Sequence, residues 1–167
     1  KGTTWEGGVR VPAFVHWPSR IEAGRSNALT STLDILPTIS SLVNADTSNL
    51  TLDGYDISEV LLKNSNLGPR DFFAVYPESP TQEMGPFAII YKRYKAHFYT
   101  KGSDLSDVDN YDPLCPSKHN LTLHDPPLLF DLYSDPGERY DLGKMEEHSE
   151  LLAAMSAWRE DHMRNMT

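Results

Sequence analysis

Hydrophobic positions in this chain come in short bursts divided by turn formers, and one stretch repeats with helical spacing over several turns. From Met145 to Met163, the residues Leu151, Met155, Trp158 and His162 fall at i, i+4, i+7 and i+11, while Glu146, Glu147, Glu150, Arg159 and Glu160 fall mostly elsewhere. A second helix is predicted over about 34–44. Pro37 is tolerated in a first turn and Asp34 suits a helix N-terminus. Its residues Ile35, Leu36, Ile39, Leu42 and Val43 are expected to face a core. Ser58 to Leu62 predicts a short helix.

The strand signals are briefer. Val11 to Trp17 is an apolar run punctuated by Pro12 and Pro18, which predicts a buried or edge strand. Phe72 to Tyr76 predicts another, stopped by Pro77. Ala88–Tyr91 and Tyr94–Tyr99 flank Lys92-Arg93 and predict a β-hairpin, although the turn lacks glycine. Leu128 to Leu132 predicts a further strand, followed by a turn at Ser134-Asp135-Pro136-Gly137-Glu138. Residues 19–26 and 44–56 read as polar links, the latter carrying the Asp53-Gly54 turn signal. Residues 101–125 show no period and read as one long loop. Strands, a hairpin, a strand and then a helix predict an antiparallel sheet with helices packed on one face. No internal repeat or low-complexity segment is visible.

Composition narrows the choices. The 167 residues are enough for a real core. No apolar run approaches the roughly 18 residues that a membrane span needs. The net charge of −9, from 15 basic and 24 acidic residues, argues against a nucleic-acid partner. It also sits awkwardly with an anionic substrate. Protonating the six histidines would raise −9 to −3, so an acidic compartment would ease that conflict. The chain opens on Lys1 without a charged-then-apolar leader, which leads to the expectation of a processed product or a fragment. Sequons at Asn49, Asn120 and Asn165 point to the secretory pathway. There the single cysteine, Cys115, would pair outside this chain or remain a buried thiol.

The chemistry is concentrated in the first ten residues, Lys1-Gly2-Thr3-Thr4-Trp5-Glu6-Gly7-Gly8-Val9-Arg10. Gly2, Gly7 and Gly8 let the loop that carries Lys1 take tight turns and come close to a ligand, and lysine supplies a compact charge with three donors. Such a loop suits an anion. The stretch resembles the signature of the sulfatase family. The likeness continues through Asp34-Ile35-Leu36-Pro37-Thr38, Leu52-Asp53-Gly54-Tyr55-Asp56, Tyr94-Lys95-Ala96-His97-Phe98, Pro126–Leu132 and Asp135-Pro136-Gly137-Glu138. It covers nearly the whole chain and is similar to the C-terminal portion of the arylsulfatase A / N-acetylgalactosamine-6-sulfatase branch.

The resemblance implies an α/β fold. Residues 1–62 would end an alkaline-phosphatase-like catalytic domain, and residues 63–167 would form a four-stranded antiparallel sheet with a packed helix. It implies a sulfuric ester hydrolase working through a formylglycine nucleophile and a Ca2+ ion, on a sulfated small molecule, glycolipid or glycan. Lysosomal or secreted localisation follows, and a homo-oligomer stays open. Within this chain the resemblance makes Lys1 the catalytic, sulfate-contacting residue. The cysteine here, Cys115, is followed by Pro116-Ser117-Lys118 and lacks the Cys-x-Pro-x-Arg frame, so nucleophile and metal ligands are expected upstream and the isolated chain is expected to be inactive. Cys115 is expected to form a disulfide with a cysteine before Lys1, and Asn49 and Asn120 to be glycosylated.

Other polar residues have simpler readings. Glu6 and Arg10 suit a clamp that holds the loop. Asp34, Asp53 and Asp56 suit caps and turns better than a metal. His97 reads either as a packed core residue or, with Lys95, as part of a substrate mouth, whereas His119 and His124 lie on the long loop. Two other functions remain as alternatives: a non-catalytic binding module derived from a sulfatase, and a phosphohydrolase of the same superfamily. The sequence upstream of Lys1 separates them.

Overall fold

The computed structural model describes residues 3–77, 80–101 and 121–166. The chain divides into two compact units, one joining the opening segment to Phe72 and everything after it, the other spanning Pro12–Asp71.

The first unit is built on four antiparallel strands, β1 (Phe72–Val75), β2 (Ala88–Tyr91), β3 (Tyr94–Thr100) and β4 (Thr122–Asp131), in sheet order β1-β2-β3-β4. Lys92, at φ 54°, closes the β2–β3 hairpin without glycine, and Tyr91 pairs with Tyr94 across it. The register puts Ile89, Ala96 and Leu129 side by side on one face and Ile90, Lys95 and Phe130 on the other. Helix α4 (Ser149–Arg164) covers the first face. Its Leu152 and Met155 complete a cluster with Ile89, Ala96, Phe98 and Leu129, and Trp158 stacks flat on Phe72. Each such apolar side chain contributes about 1.5–3 kcal/mol on burial. Arg159 ties the helix to the segment that leads into β2 by donating to the carbonyls of Pro86 and Met84.

The predicted hairpin, the strand at Phe72 and the C-terminal helix all form. The last begins with a 3-10 turn at Glu146–His148 before Ser149. β4 is longer than the apolar run suggested and takes in residues 122–125, which the sequence assigned to the loop. Between His97 and Tyr99 the β3–β4 register shifts, so pairing resumes at Tyr99–Leu123.

The second unit carries α2 (Ile35–Leu42) and α3 (Ser58–Lys63), with a 3-10 turn at Thr32–Asp34. Ser31 and Asp34 form a reciprocal capping box. The fully buried Asp34 carboxylate also accepts from the Tyr55 backbone at 2.9 Å and from Arg70 at 2.6 Å. A Cβ on Gly54 would fall 1.9 Å from the Leu33 carbonyl, which explains a glycine beside Asp53. Two sequence expectations are corrected here. Of the face expected to be core, Ile35, Leu36, Ile39 and Val43 are exposed and Leu42 is half-buried, and α2 instead buries Thr38 and Ser40. Thr38 Oγ1 is held by the Asp34 carbonyl and the Ile57 N–H, so polar contacts rather than apolar ones fix this side. Val11 to Trp17 is not a strand, and Phe14 is 87% exposed. Pro12 and Pro18 lack the N–H that a ladder needs, and no described segment pairs with this one.

Candidate functional site

The second face of the sheet receives the opening loop. Period-two alternation along β3 turns Lys95 and His97 away from α4. Trp5 lies over them, its ring centroid 4.3 Å from His97 and 5.8 Å from Phe130. Glu6 then starts α1 (Glu6–Val9), a single turn that ends when the Arg10 N–H donates to the Glu6 carbonyl. Gly8 is required by this turn. A Cβ there would fall 2.2 Å from the Thr3 carbonyl oxygen, whereas at Gly7 it would meet nothing within 4 Å.

A buried charged cluster joins loop and sheet. Lys95, fully buried, directs Nζ to Glu6 Oε1 at 2.9 Å and to Glu138 Oε1 at 3.1 Å. Glu138 also takes a bond from His97 Nε2 on Oε1 at 2.7 Å and from the Glu6 N–H on Oε2. A carboxylate only accepts, so His97 carries its proton on Nε2. That leaves Nδ1 to face the Thr4 hydroxyl at 3.4 Å. Burial, aided by the Lys95 charge, pulls His97 below its ordinary value of 6.5 and keeps it neutral, although Glu138 opposes the shift. Burial alone would raise Glu138. The bond from His97 and the Lys95 charge outweigh it and hold this carboxyl below its ordinary range. Glu138 sits in the Asp135-Pro136-Gly137 turn at φ 52°, a left-handed position unusual for a side chain of its size.

Residues 68–167 match the family described as the C-terminal region of aryl-sulfatase, and residues 1–45 match the family described as sulfatase. The chain is 49% identical to human arylsulfatase A over 142 residues, 85% of this chain and 28% of that protein. This chain belongs to the sulfatase family. It is also 34% identical to mouse steryl-sulfatase, over 94% of its own length and 26% of the relative's. Among solved structures it is similar to a sulfatase from Pseudoalteromonas sp., with TM-score 0.74 and 26% identity over 98% of this chain and 31% of the other. The fold expected from the sequence, a sulfatase α/β architecture with a four-stranded antiparallel sheet and packed helix, is the fold found. The chain spans under a third of the length of the curated relatives named here.

Within this sulfatase chain the predicted residues fall in different places. Lys1, Cys115, His119 and Asn120 lie outside the described residues. Asn49 is exposed in a turn beyond α2. Lys95 and His97, read either as packed core residues or as part of a substrate mouth, are both fully buried. His124, on β4, meets Thr100 Oγ1 at 2.8 Å. Glu6 is indeed part of a clamp, with Lys95 its close partner and Arg10 more distant at 3.7 Å. Glu138 was missed as a cluster member. The readable signal was a lysine and a histidine two apart in an otherwise apolar strand, which implies buried acidic partners somewhere. No helix among the described residues is long and apolar enough to cross a membrane.

The described acidic groups do not fit a calcium ion. No cluster of three or more metal-binding side chains occurs among the described residues. The buried carboxylates are engaged, Glu6 and Glu138 by Lys95, Asp34 by Arg70, and Asp131 by Arg93 at 2.6 Å.

Proposed function

We propose that this chain is the C-terminal part of an arylsulfatase that hydrolyses sulfate esters, and that it supplies Lys1 as a sulfate contact. The observation that carries the reading is 49% identity to arylsulfatase A over 85% of the chain. That similarity is joined to a loop whose anchoring residues are built into the sheet. The lysine ammonium would sit against a sulfate oxygen and offset the charge that grows on the group as the ester bond breaks. It needs no proton transfer for this, only a fixed position. Formylglycine and Ca2+, as nucleophile and charge-neutralising metal, would be held by residues upstream of this chain.

The substrate class is a sulfated small molecule, glycolipid or glycan, and the setting is lysosomal or secreted. Three sequons and the arylsulfatase A relatives support that setting. Cys115 would pair with a cysteine before Lys1, and Asn49 and Asn120 would carry glycans. The exposed turn at Asn49 leaves room for one.

The test is turnover of an aryl sulfate by the polypeptide that includes the upstream sequence, beside its Lys1→Ala variant and the 167-residue chain alone. Turnover by the parent, a loss of about 10²–10³-fold in kcat for Lys1→Ala, and none from the isolated chain are expected. Activity on aryl phosphates but not sulfates would replace the reading with the phosphohydrolase. No turnover of either ester by the long polypeptide would leave the binding module.

A further inference from the structure

We propose that Lys95 is a positioning residue for the opening loop: its buried ammonium, shared by Glu6 and Glu138, sets where the segment leading back to Lys1 stands on the sheet. The inference rests on the reading of Lys1 as a sulfate contact.

Three remote parts of the chain meet at one nitrogen. β3 supplies Lys95 from the centre of the sheet, the Asp135–Glu138 turn supplies one carboxylate, and the first residue of α1 supplies the other. Glu138 grips Glu6 twice, by its backbone N–H and through the shared ammonium. That fixes both the height of the loop over the sheet and its rotation. His97 adds a third hold, with Trp5 packed on its ring and the Thr4 hydroxyl at Nδ1. Contact between Gly8 and the Thr3 carbonyl then passes the constraint from α1 back to Thr3, two residues from Lys1.

Stability alone does not account for such a cluster. Desolvating an ammonium and two carboxylates offsets much of their attraction, and apolar replacements of similar volume are often as stable or more so. What apolar residues lack is direction. A methyl cluster tolerates a slide of the loop, whereas two carboxylates on one ammonium at 2.9 and 3.1 Å do not. A sulfate-contacting lysine needs that restriction, because a misplacement of about 1 Å near the reacting group costs about 10²-fold in rate.

The test is a double-mutant cycle in the full polypeptide. Lys95→Met is combined with Glu6→Gln and Glu138→Gln, so that no charge is left buried without its partner. This triple variant is made with and without Lys1→Ala, and kcat and KM for an aryl sulfate are measured beside melting temperature. The expected result is a triple variant that melts close to the parent but has kcat lowered about 10–100-fold. Adding the triple change to Lys1→Ala should cost no more than about twofold further. Full kcat in the triple variant, or losses that multiply with Lys1→Ala, would overturn the proposal. If Lys1→Ala alone leaves kcat unchanged, the Lys1 reading fails first and by itself. If the triple variant does not fold, Glu138→Gln alone serves in the same cycle, with the same non-additivity expected and the same multiplicative outcome against it.

Discussion

Replacing Gly8 by alanine should damage both stability and rate, while the same change at Gly7 should not. At Gly8 the new methyl would lie 2.2 Å from the Thr3 carbonyl oxygen and 2.8 Å from Thr3 Oγ1. Ordinary contact begins near 3.5 Å, so the Thr3 backbone must withdraw by about 1 Å. Overpacking of that kind costs about 1–3 kcal/mol. At Gly7 the methyl enters open space on a helical turn, where alanine is favoured by about 0.5–1 kcal/mol. The two variants should therefore differ by about 1.5–4 kcal/mol. In a domain of this size that corresponds to a gap of at least about 3 °C in melting temperature. The displaced Thr3 is two residues from Lys1, so kcat for an aryl sulfate in the full polypeptide should fall about 10²-fold for Gly8→Ala. Differential scanning calorimetry and steady-state kinetics read the two effects. Equal melting temperatures with equal kcat would show that the close approach at Gly8 is not what holds the loop.

Other outcomes follow from the same structure. Met155→Ala, which empties a fully buried position between α4 and the sheet, should cost about 2–5 kcal/mol in denaturant unfolding without a matching change in KM. Asp34→Ala should cost about 3–5 kcal/mol, because Arg70 loses its 2.6 Å partner and the Ser31 and Tyr55 N–H groups lose their acceptor. Melting temperature should fall as pH drops below 6.5. His97 is held below that value in the fold, so the unfolded chain takes up the proton first. Glu138, depressed in the fold, adds a second loss as pH falls below 4.5 and through its folded value. His97→Gln should reduce the first slope, leaving the part due to His124, which burial also holds below 6.5, and a melting temperature that is flat between pH 7 and 5 would contradict the neutral buried histidine.

Much of the sheet unit was legible because its signals are local. Aromatic and β-branched residues in Ala88–Tyr91 and Tyr94–Tyr99 mark the hairpin, and the helical spacing of Leu151, Met155 and Trp158 marks an apolar face. The opening loop was legible by resemblance. The second unit was less so. Ile35, Leu36, Ile39 and Val43 carry a regular helical pattern, yet periodicity says which side is apolar and not what covers it. The charged cluster was hidden for a different reason. Glu6, Lys95 and Glu138 are 89 and 43 positions apart along the chain in turn, and nothing in a single sequence pairs charges across such distances. Glu138 also looked fully accounted for by its turn.

The cluster bears on the one observation that counted against an anionic substrate, the net charge of −9. Formal charge treats every carboxylate as a source of repulsion. In the structure Glu6 and Glu138 share Lys95, Asp34 faces Arg70 and Asp131 faces Arg93, so four acids are held within 3.1 Å by three basic groups and this set carries only −1 of the net charge. The surface acids that remain act through water, where a Debye length of about 8 Å at physiological salt screens them from a site farther off. What a sulfate ester meets is then decided by the few groups nearest it, and by whether those groups are held still. On this chain the acids nearest the opening loop, Glu6 and Glu138, share one buried ammonium. They hold Lys95, and through it the loop from Thr4 to Glu6, which is how the proposed reading has an acidic protein offer Lys1 to an anion.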